Sequence, residues 1–389
     1  MKHASEKIRF AVVGCGHIGM RHAEMITRND ETELVALVDI KPKHQLKLDP
    51  YYDIPFYSSM ERLLTDKSNN PFDIVTIATP NGLHASQALA ALNHGKHVVV
   101  EKPLALQKKD AENVLSKALK VNKHVFSVMQ NRYSPPSLWL KDLIDGGKLG
   151  KIYMVQINCF WNRDERYYTP DSWHGCSQMD GGTLFTQFSH FIDIMFWLFG
   201  DIHNVNSTLK SNNHIHLTDF EDSGLVSFEF ENGGLGSINF TTSVWDKNLE
   251  SSMTIIAENG SLKVGGQYMN EVEYCHVKNY TMPILSPTNP ANDYGAYKGS
   301  AANHHYIIQN VVNVLKGVDS ITTNALEGMK VVEIIEQIYA SGYERARKDT
   351  ETFILTGKQR FLPDFEISDK EYIPKAFDLE RTNPRIGVA

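Results

Sequence analysis

The sequence predicts an α/β protein in two parts. An N-terminal doubly wound parallel sheet of Rossmann type comes first, followed by an α+β domain with an open, mainly antiparallel sheet and helices. Three observations carry this prediction. Short, continuously apolar runs alternate with helix-compatible stretches over the first third of the chain, which is the pattern of a parallel sheet buried on both faces. The first of these runs ends in a glycine-rich turn. Beyond it the pattern changes to runs in which polar and apolar residues alternate, as in a sheet with one wetter face. A length of 389 residues is in any case too great for one ordinary core.

The elements follow in order. Residues 8–14 (IRFAVVG) form the first apolar run, and the helix-compatible stretch after it extends to Met25. The second run, LVALVDI, carries Asp39 at its end. Residues 72–79 (FDIVTIAT) and 97–103 (HVVVEKP) are two more, and the stretch between them reads as a helix stopped by Gly95. Residues 124–130 give the last strand of this domain, so its boundary falls between Asn131 and Pro136. The β-α-β order with right-handed crossovers makes the sheet doubly wound.

Beyond the boundary, residues 151–161 read as a strand, 183–199 as one helix and 221–279 as a series of strands. The hairpin at 226–231 turns on Asn232-Gly233-Gly234. Residues 280–300 are expected to form a long loop, and helices at 303–316 and 324–347 to close the domain. The expected organisation is therefore 1–133, 134–360 and an extended tail at 361–389.

Composition excludes several classes. A net charge of -7 lacks the basic face that a nucleic-acid binder needs. No stretch approaches the ~18 apolar residues of a membrane span. The N-terminal residues hold no apolar signal core. Cys15, Cys159, Cys176 and Cys275 lie far apart, without a CxxC pair, so neither a disulfide framework nor structural zinc is expected. A reduced, cytoplasmic setting is the expectation.

Gly14-Cys15-Gly16-His17-Ile18-Gly19 is G-x-G-x-x-G, placed after a strand, opening a helix, with Asp39 ending the next strand. In that context it is a dinucleotide fingerprint. Gly14 permits the turn, Gly16 lets backbone approach a pyrophosphate, and Gly19 lets helix pack on strand. The amides at the helix start, His17 and Ile18 among them, hold the phosphates. Asp39 would accept from a ribose 2′-hydroxyl and repel a 2′-phosphate, so NAD is preferred over NADP. Lys41 and Lys43 soften that preference.

Three further motifs, in order, resemble the glucose–fructose oxidoreductase/inositol dehydrogenase (Gfo/Idh/MocA) family. They are Thr79-Pro80-Asn81 with His84, Glu101-Lys102-Pro103 at a strand end, and Gly181-Gly182-Thr183 running through His190 to Asp193. The resemblance implies that Thr79, Pro80, Asn81, His84, Glu101 and Lys102 border the cofactor. His84 reads equally well as an ordinary helix-start residue. It further implies a homodimer or homotetramer assembled through the open sheet face.

Lys102 stands at the carboxyl end of a buried parallel strand, where ligands bind in doubly wound sheets. By resemblance it hydrogen-bonds the reacting hydroxyl. At α-helical spacing Thr186, His190, Asp193 and Trp197 share one face of a helix that is apolar on its others, and His190 is the expected general base. Many family members carry an aspartate where this chain has Thr186. Reduction to a Lys/His pair resembles the nucleotide-sugar 3-dehydrogenases that oxidise UDP-N-acetylglucosaminuronate.

Two segments are candidates for the substrate cleft. Trp161, Arg163, Arg166, Tyr168, Trp173 and His174 make an aromatic, arginine-rich stretch suited to stacking on rings and gripping carboxylate or phosphate. A structured surface loop or subunit contact reads equally well. Tyr294 and Lys298 belong to the second segment, with Thr186 between the two in sequence. His304 and His305 are adjacent on a helix and diverge, with no acidic or Cys partner at matching spacing, so no metal is assigned.

The expected reaction is hydride transfer between a sugar hydroxyl carbon and nicotinamide. Two rivals are an NAD-dependent glycoside hydrolase of the same superfamily and a non-catalytic NAD-binding regulator.

Overall fold

The computed structural model describes residues 7–356, except 47, 49, 50, 52, 68–70, 171 and 296. The tail expected at 361–389 lies outside the described residues. The described residues divide into two compact units: those up to Tyr133 with Ala302–Val332, and Ser134–Ala301 with 333–356.

In the first unit, six strands form one parallel sheet: β1 (Ile8–Val13), β2 (Thr32–Val38), β3 (Phe56–Tyr57), β4 (Ile74–Ile77), β5 (His97–Val100) and β6 (Val125–Ser127). Their order is β3-β2-β1-β4-β5-β6, which reverses direction beside β1, so the carboxyl ends of β1 and β4 open a crevice there. Four helices belong to the crossovers: α1 (His17–Arg28), α2 (Met60–Thr65), α3 (His84–Asn93) and α4 (Lys108–Lys120). β1 alternates its side chains between two cores, because both sheet faces are covered. Ala11 and Val13 pack with Ala88 and Val114 on one side, while Phe10 and Val12 pack with Ala23 and Ile26 on the other.

The second unit starts with α5 (Pro135–Asp145). It is built on a seven-stranded sheet of β7 (Ile152–Phe160), β8 (Ile202–Lys210), β9 (Ser223–Phe230), β10 (Leu235–Thr241), β11 (Glu250–Ala257), β12 (Gly260–Gly265) and β13 (Glu271–Val277). The order is β13-β12-β11-β7-β10-β9-β8; β7 and β10 run parallel and the other pairs antiparallel. On the inner face lie Val155, Ile157, Val226, Phe228, Ile238 and Phe240, all buried. Small residues are required between these rings: a Cβ at Gly236 would stand 2.0 Å from the Phe228 ring. The outer face leaves Met154, Leu225, Leu235, Ile256 and Tyr274 exposed.

Three local features differ from the sequence expectation. β8, an edge strand with loose alternation, was not foreseen. The stretch at 280–300 carries a short ribbon, β14 (Ala291–Asp293) with β15 (Lys298–Ala301), rather than loop alone. The expected helix at 303–316 exists as α8 (His304–Leu315), but it belongs to the first unit instead of closing the second domain. Its Ile307, Ile308 and Val311 complete the core formed by Phe10, Val12 and Ile26, so burial of its apolar stripe decides its membership. The last helix, α9 (Ala325–Thr356), begins in the first unit and continues in the second.

Candidate functional site

The glycine turn is built as its sequence requires. Gly14 adopts φ +92°, and a Cβ there would stand 2.5 Å from the Ala78 carbonyl oxygen. One at Gly19 would stand 1.7 Å from the carbonyl oxygen of Gly14, so α1 can lie this close to β1 only without a side chain. Gly16 is different, because a Cβ there would meet nothing within 4 Å. Its freedom from protein contact leaves space for a pyrophosphate to reach the backbone. No side chain caps α1 at Gly16, and His17 and Ile18 open the helix with their first-turn amides uncapped by it.

Asp39 braces this turn. Its Oδ2 accepts from the Cys15 amide at 2.7 Å and its Oδ1 from the Lys41 amide at 2.8 Å. Each carboxylate oxygen has a second lone pair, so the group can still accept from a ribose hydroxyl. Burial, and then the Asp39 charge, push the Cys15 thiol up to about 12, which makes it an inert packing residue.

Beyond β4, Thr79 Oγ1 donates to Gln87 at 2.7 Å, and Pro80 leads into a 3₁₀ turn at Asn81–Leu83 with Asn81 buried. His84 is buried too, and its two ring nitrogens lie 2.7 Å from the Pro103 carbonyl oxygen and 2.9 Å from that of Thr79. Burial holds its pKa below the usual histidine value despite those carbonyls. Its ring thus ties the Thr79 loop to the Pro103 loop, and this geometry favours the helix-start reading over a contact to nicotinamide.

Glu101 and Lys102 follow β5. The Glu101 carboxylate is buried, accepting from His22 Nε2 at 2.8 Å through Oε1 and from the Lys102 amide at 3.2 Å through Oε2. His304 Nε2 lies 3.5 Å from the same Oε1. Burial alone would raise the Glu101 pKa, but the two imidazoles outweigh it and hold the carboxyl well below its ordinary range. The sequence reading found no acidic partner for His304; the fold supplies one from β5. The three side chains bring potential ligand atoms within 4.8 Å of one another. Neither His22 Nδ1 nor His304 Nδ1 has a hydrogen-bond partner among the described residues. Metal-bound imidazoles almost always have such an outer partner, so the arrangement suits an ion pair better than a metal.

In the second unit, the segment expected as one α-helix opens with a π-helical turn, Leu184–Phe188, and continues as α7 after the four-residue α6 (Ser177–Asp180), α7 being Ser189–Phe199. Ser189 to Met195, His190 and Asp193 included, are all buried, whereas Trp197 is only half-buried and lies under the Lys141 ammonium. The wider π turn changes the register before Ser189, so Thr186 does not follow the α spacing assumed from sequence. Its hydroxyl instead donates to Asp180, reaching Oδ1 in a very short contact and lying 3.0 Å from the carbonyl oxygen. Asp180 Oδ2 also accepts from the Gly175 amide at 2.8 Å.

A second buried acid, Glu221, meets the same helix start. Tyr339 donates to its Oε1 at 2.6 Å and the Thr183 amide at 3.2 Å. Burial, opposed by those bonds, pushes its pKa up to about 8. A Cβ at Gly182 would stand 2.3 Å from the Tyr339 hydroxyl, which fixes glycine there.

The aromatic and arginine segment divides in two. Trp161 is buried, donating to Ser251 at 2.8 Å and packing edge-on against Phe188 and Phe191. Arg163 is buried among the Trp161, Tyr167 and Tyr297 rings. All three of its guanidinium nitrogens donate to protein oxygens: Gln187, Asn162 and Asn248, and the Lys298 carbonyl. That makes Arg163 a strut between strand and ribbon rather than an open fork for an anion. Tyr168 is likewise buried, against His214 and Phe220. Arg166, by contrast, is exposed and paired with Asp164, and Lys298 is exposed. Trp173 stacks on His174, both half-buried, and Tyr294 is half-buried beside Tyr297.

Comparison with known proteins bears on both units. Residues 8–129 match the model described as oxidoreductase family, NAD-binding Rossmann fold, and 138–263 the GFO/IDH/MocA C-terminal domain. A WlbA dehydrogenase from Bordetella pertussis, solved with NADH and UDP-GlcNAcA, is 30% identical; the match covers 87% of this chain and 97% of that one, with a TM-score of 0.77. The WlbA dehydrogenase from Chromobacterium violaceum, in the same kind of complex, is 32% identical over 88% of this chain and 95% of that one, with a TM-score of 0.76. The chain belongs to the Gfo/Idh/MocA family. Inositol 2-dehydrogenase of Salmonella typhimurium is a more distant relative, 28% identical over 58% of this chain and 65% of its own length.

As a Gfo/Idh/MocA member it is an NAD-dependent oxidoreductase. NAD fits the glycine turn on this chain's own geometry, through the open space at Gly16 and the acceptor at Asp39. Among the described residues no helix is long and apolar enough to cross a membrane. Sequence reasoning missed His22, Asp180 and Glu221. The signal for His22 was its position one helical turn beyond the fingerprint; for Asp180 it was an acid directly before Gly181-Gly182.

Proposed function

We propose that this protein is an NAD-dependent nucleotide-sugar dehydrogenase that oxidises the C3 hydroxyl of a UDP-N-acetyl amino-sugar acid. The observation that carries the reading is the similarity to two WlbA dehydrogenases over nearly nine-tenths of the chain. In both of those structures NADH and UDP-GlcNAcA are bound together. The retained Lys102 and His190 support it. Lys102 follows β5 at the carboxyl edge of the parallel sheet and is only half-buried, so an ammonium there can reach a ligand.

On this reading Lys102 donates a hydrogen bond to the substrate hydroxyl oxygen, and His190 takes its proton as the carbonyl forms. Bound NAD supplies the acceptor for the hydride released from the same carbon. Anchoring of the anionic substrate falls to the exposed Arg166 and Lys298, with Trp173 and His174 offering ring faces; Arg163 keeps the ribbon that carries Lys298 in place. The test is NADH formation from NAD and the UDP-sugar acid, with Lys102→Met and His190→Asn as controls.

We further propose a homodimer or homotetramer formed through the outer sheet face, working in the cytoplasm, where its cysteines stay reduced. Leu235 pairs with Met154 and Met154 with Ile256, so three exposed apolar side chains align across adjacent strands. An apolar row of that kind on a sheet face is a common mark of an interface.

A further inference from the structure

The helix that carries His190 has no carboxylate of its own at position 186, yet a buried one reaches Thr186 from outside that helix. Asp180 closes α6, and Gly181 and Gly182, with φ of +89° and +125°, turn the chain sharply into the π turn. That reversal brings Asp180 back onto Thr186. Asp180 is 1% exposed and Thr186 8% exposed. A threonine hydroxyl has one proton. Here the hydroxyl donates to two acceptors of Asp180, Oδ1 and the carbonyl oxygen, so its proton is directed to that residue. Toward any other group the Thr186 oxygen can then act only as an acceptor. A carboxylate at this position would present the same character.

The π turn strengthens the case. With i→i+5 bonding, residues in it advance by less than the α-helical step, so Thr186 stands close to one full turn before His190. π turns inside α-helices are frequent at functional sites, and this one occupies the start of the helix bearing the expected base.

We propose that Asp180 is a positioning residue for the reaction: it binds the Thr186 hydroxyl proton, and so turns Thr186 into an acceptor for the proton that His190 takes up. This rests on His190 being the base, as in the function proposed above. No covalent step is added. The charge stays on Asp180, and the hydroxyl relays its polarity one helical turn along.

Asp180→Asn tests this with little change of shape. The amide oxygen can still accept from the Gly175 amide, but its nitrogen would donate to Thr186, removing the charge behind that hydroxyl and occupying one of its lone pairs while its proton stays on the Asp180 carbonyl oxygen. The variant should lose about ten- to a hundredfold in kcat/KM, as befits a lost charge-assisted hydrogen bond, with NAD affinity and melting temperature near wild type. Thr186→Val should lose a similar factor, Thr186→Ser little. Combining Asp180→Asn with Thr186→Val should cost no more than either alone, because both cut one path. Moving the charge onto the helix, in Asp180→Asn with Thr186→Asp, should recover much of the rate. Losses that multiply in the first double variant, or no recovery in the second while the protein melts normally, would overturn the proposal.

If wild type reduces no NAD with any UDP-sugar acid, the function reading fails, yet the inference keeps its own readout. Titration of the His190 ring by NMR should then give a lower pKa in Asp180→Asn than in wild type. An unchanged pKa would count against Asp180.

Discussion

His22 Nε2 and Glu101 Oε1 lie 2.8 Å apart, with both side chains buried, so α1 and the end of β5 are joined by a charge-assisted bond. The other Glu101 oxygen accepts the Lys102 amide, so the bond also fixes the backbone from which Lys102 projects. His22→Ala should therefore destabilise the first unit by about 3–5 kcal/mol, the usual cost of breaking a buried pair from one side. Denaturant melts with a tryptophan or circular-dichroism readout would measure it. A loss under about 1 kcal/mol would mean that His304 alone satisfies the carboxylate.

The same carboxylate sets a pH dependence. Its folded pKa is depressed, so its contribution to stability is present above the ordinary value of 4.5 and is lost as pH falls through the folded value. Glu101→Gln should remove that acid-side slope. His304 is depressed by burial first, against the pull of Glu101, and also loses stability on the acid side, starting below the ordinary value of 6.5. Melts over a pH series separate the two windows.

Glu221 should act in the opposite sense. Its folded pKa is raised to about 8 from an ordinary 4.5, so the folded state holds a proton that the unfolded chain has released. Stability from this group is complete below 4.5 and declines as pH rises through about 8. Glu221→Gln, which keeps the shape of the neutral acid, should flatten that decline. A variant with an unchanged slope would mean that Glu221 does not hold that proton.

Asp39→Ser should narrow the preference for NAD over NADP by removing the charge that repels a 2′-phosphate. It should also weaken binding of both cofactors, because the Cys15 amide loses its 2.7 Å acceptor. Calorimetric titration of each cofactor reads both effects. Tighter binding of NADP than NAD by the wild type would remove Asp39 from the ribose site.

On the outer sheet face, Met154→Glu should split the proposed oligomer, since Met154 stands between Leu235 and Ile256 in register. Light scattering of the wild type at the 44.0 kDa of one chain would show that no such assembly forms.

The parts of this molecule legible in its sequence are those set by local rules. The Gly14 turn, the runs around β1, β4 and β5, and Asp39 at the end of β2 all follow from period and steric need within a few residues. What sequence could not give was partnership across the chain. Period shows that α8 has an apolar stripe, but not that Phe10 and Ile26 will cover it. Arginine is ordinarily exposed, so the ring cage that buries Arg163 left no local trace. His22, Glu101 and His304 come from three separate stretches, and no spacing rule joins them. The π turn at Leu184–Phe188 lies hidden behind an α-like period, and the reversal at Gly181 and Gly182 that returns Asp180 to Thr186 leaves no periodic signal.

The most direct test of the central claim is turnover of NAD with UDP-N-acetylglucosaminuronic acid, followed by NADH fluorescence and mass spectrometry of the sugar. The account predicts stoichiometric NADH with a product two hydrogens lighter, no reaction with myo-inositol, and a loss on the order of a hundredfold or more in Lys102→Met and His190→Asn with NAD binding kept. Cleavage of a glycosidic bond without net NADH, or NAD binding without oxidation of any UDP-sugar acid, would contradict it.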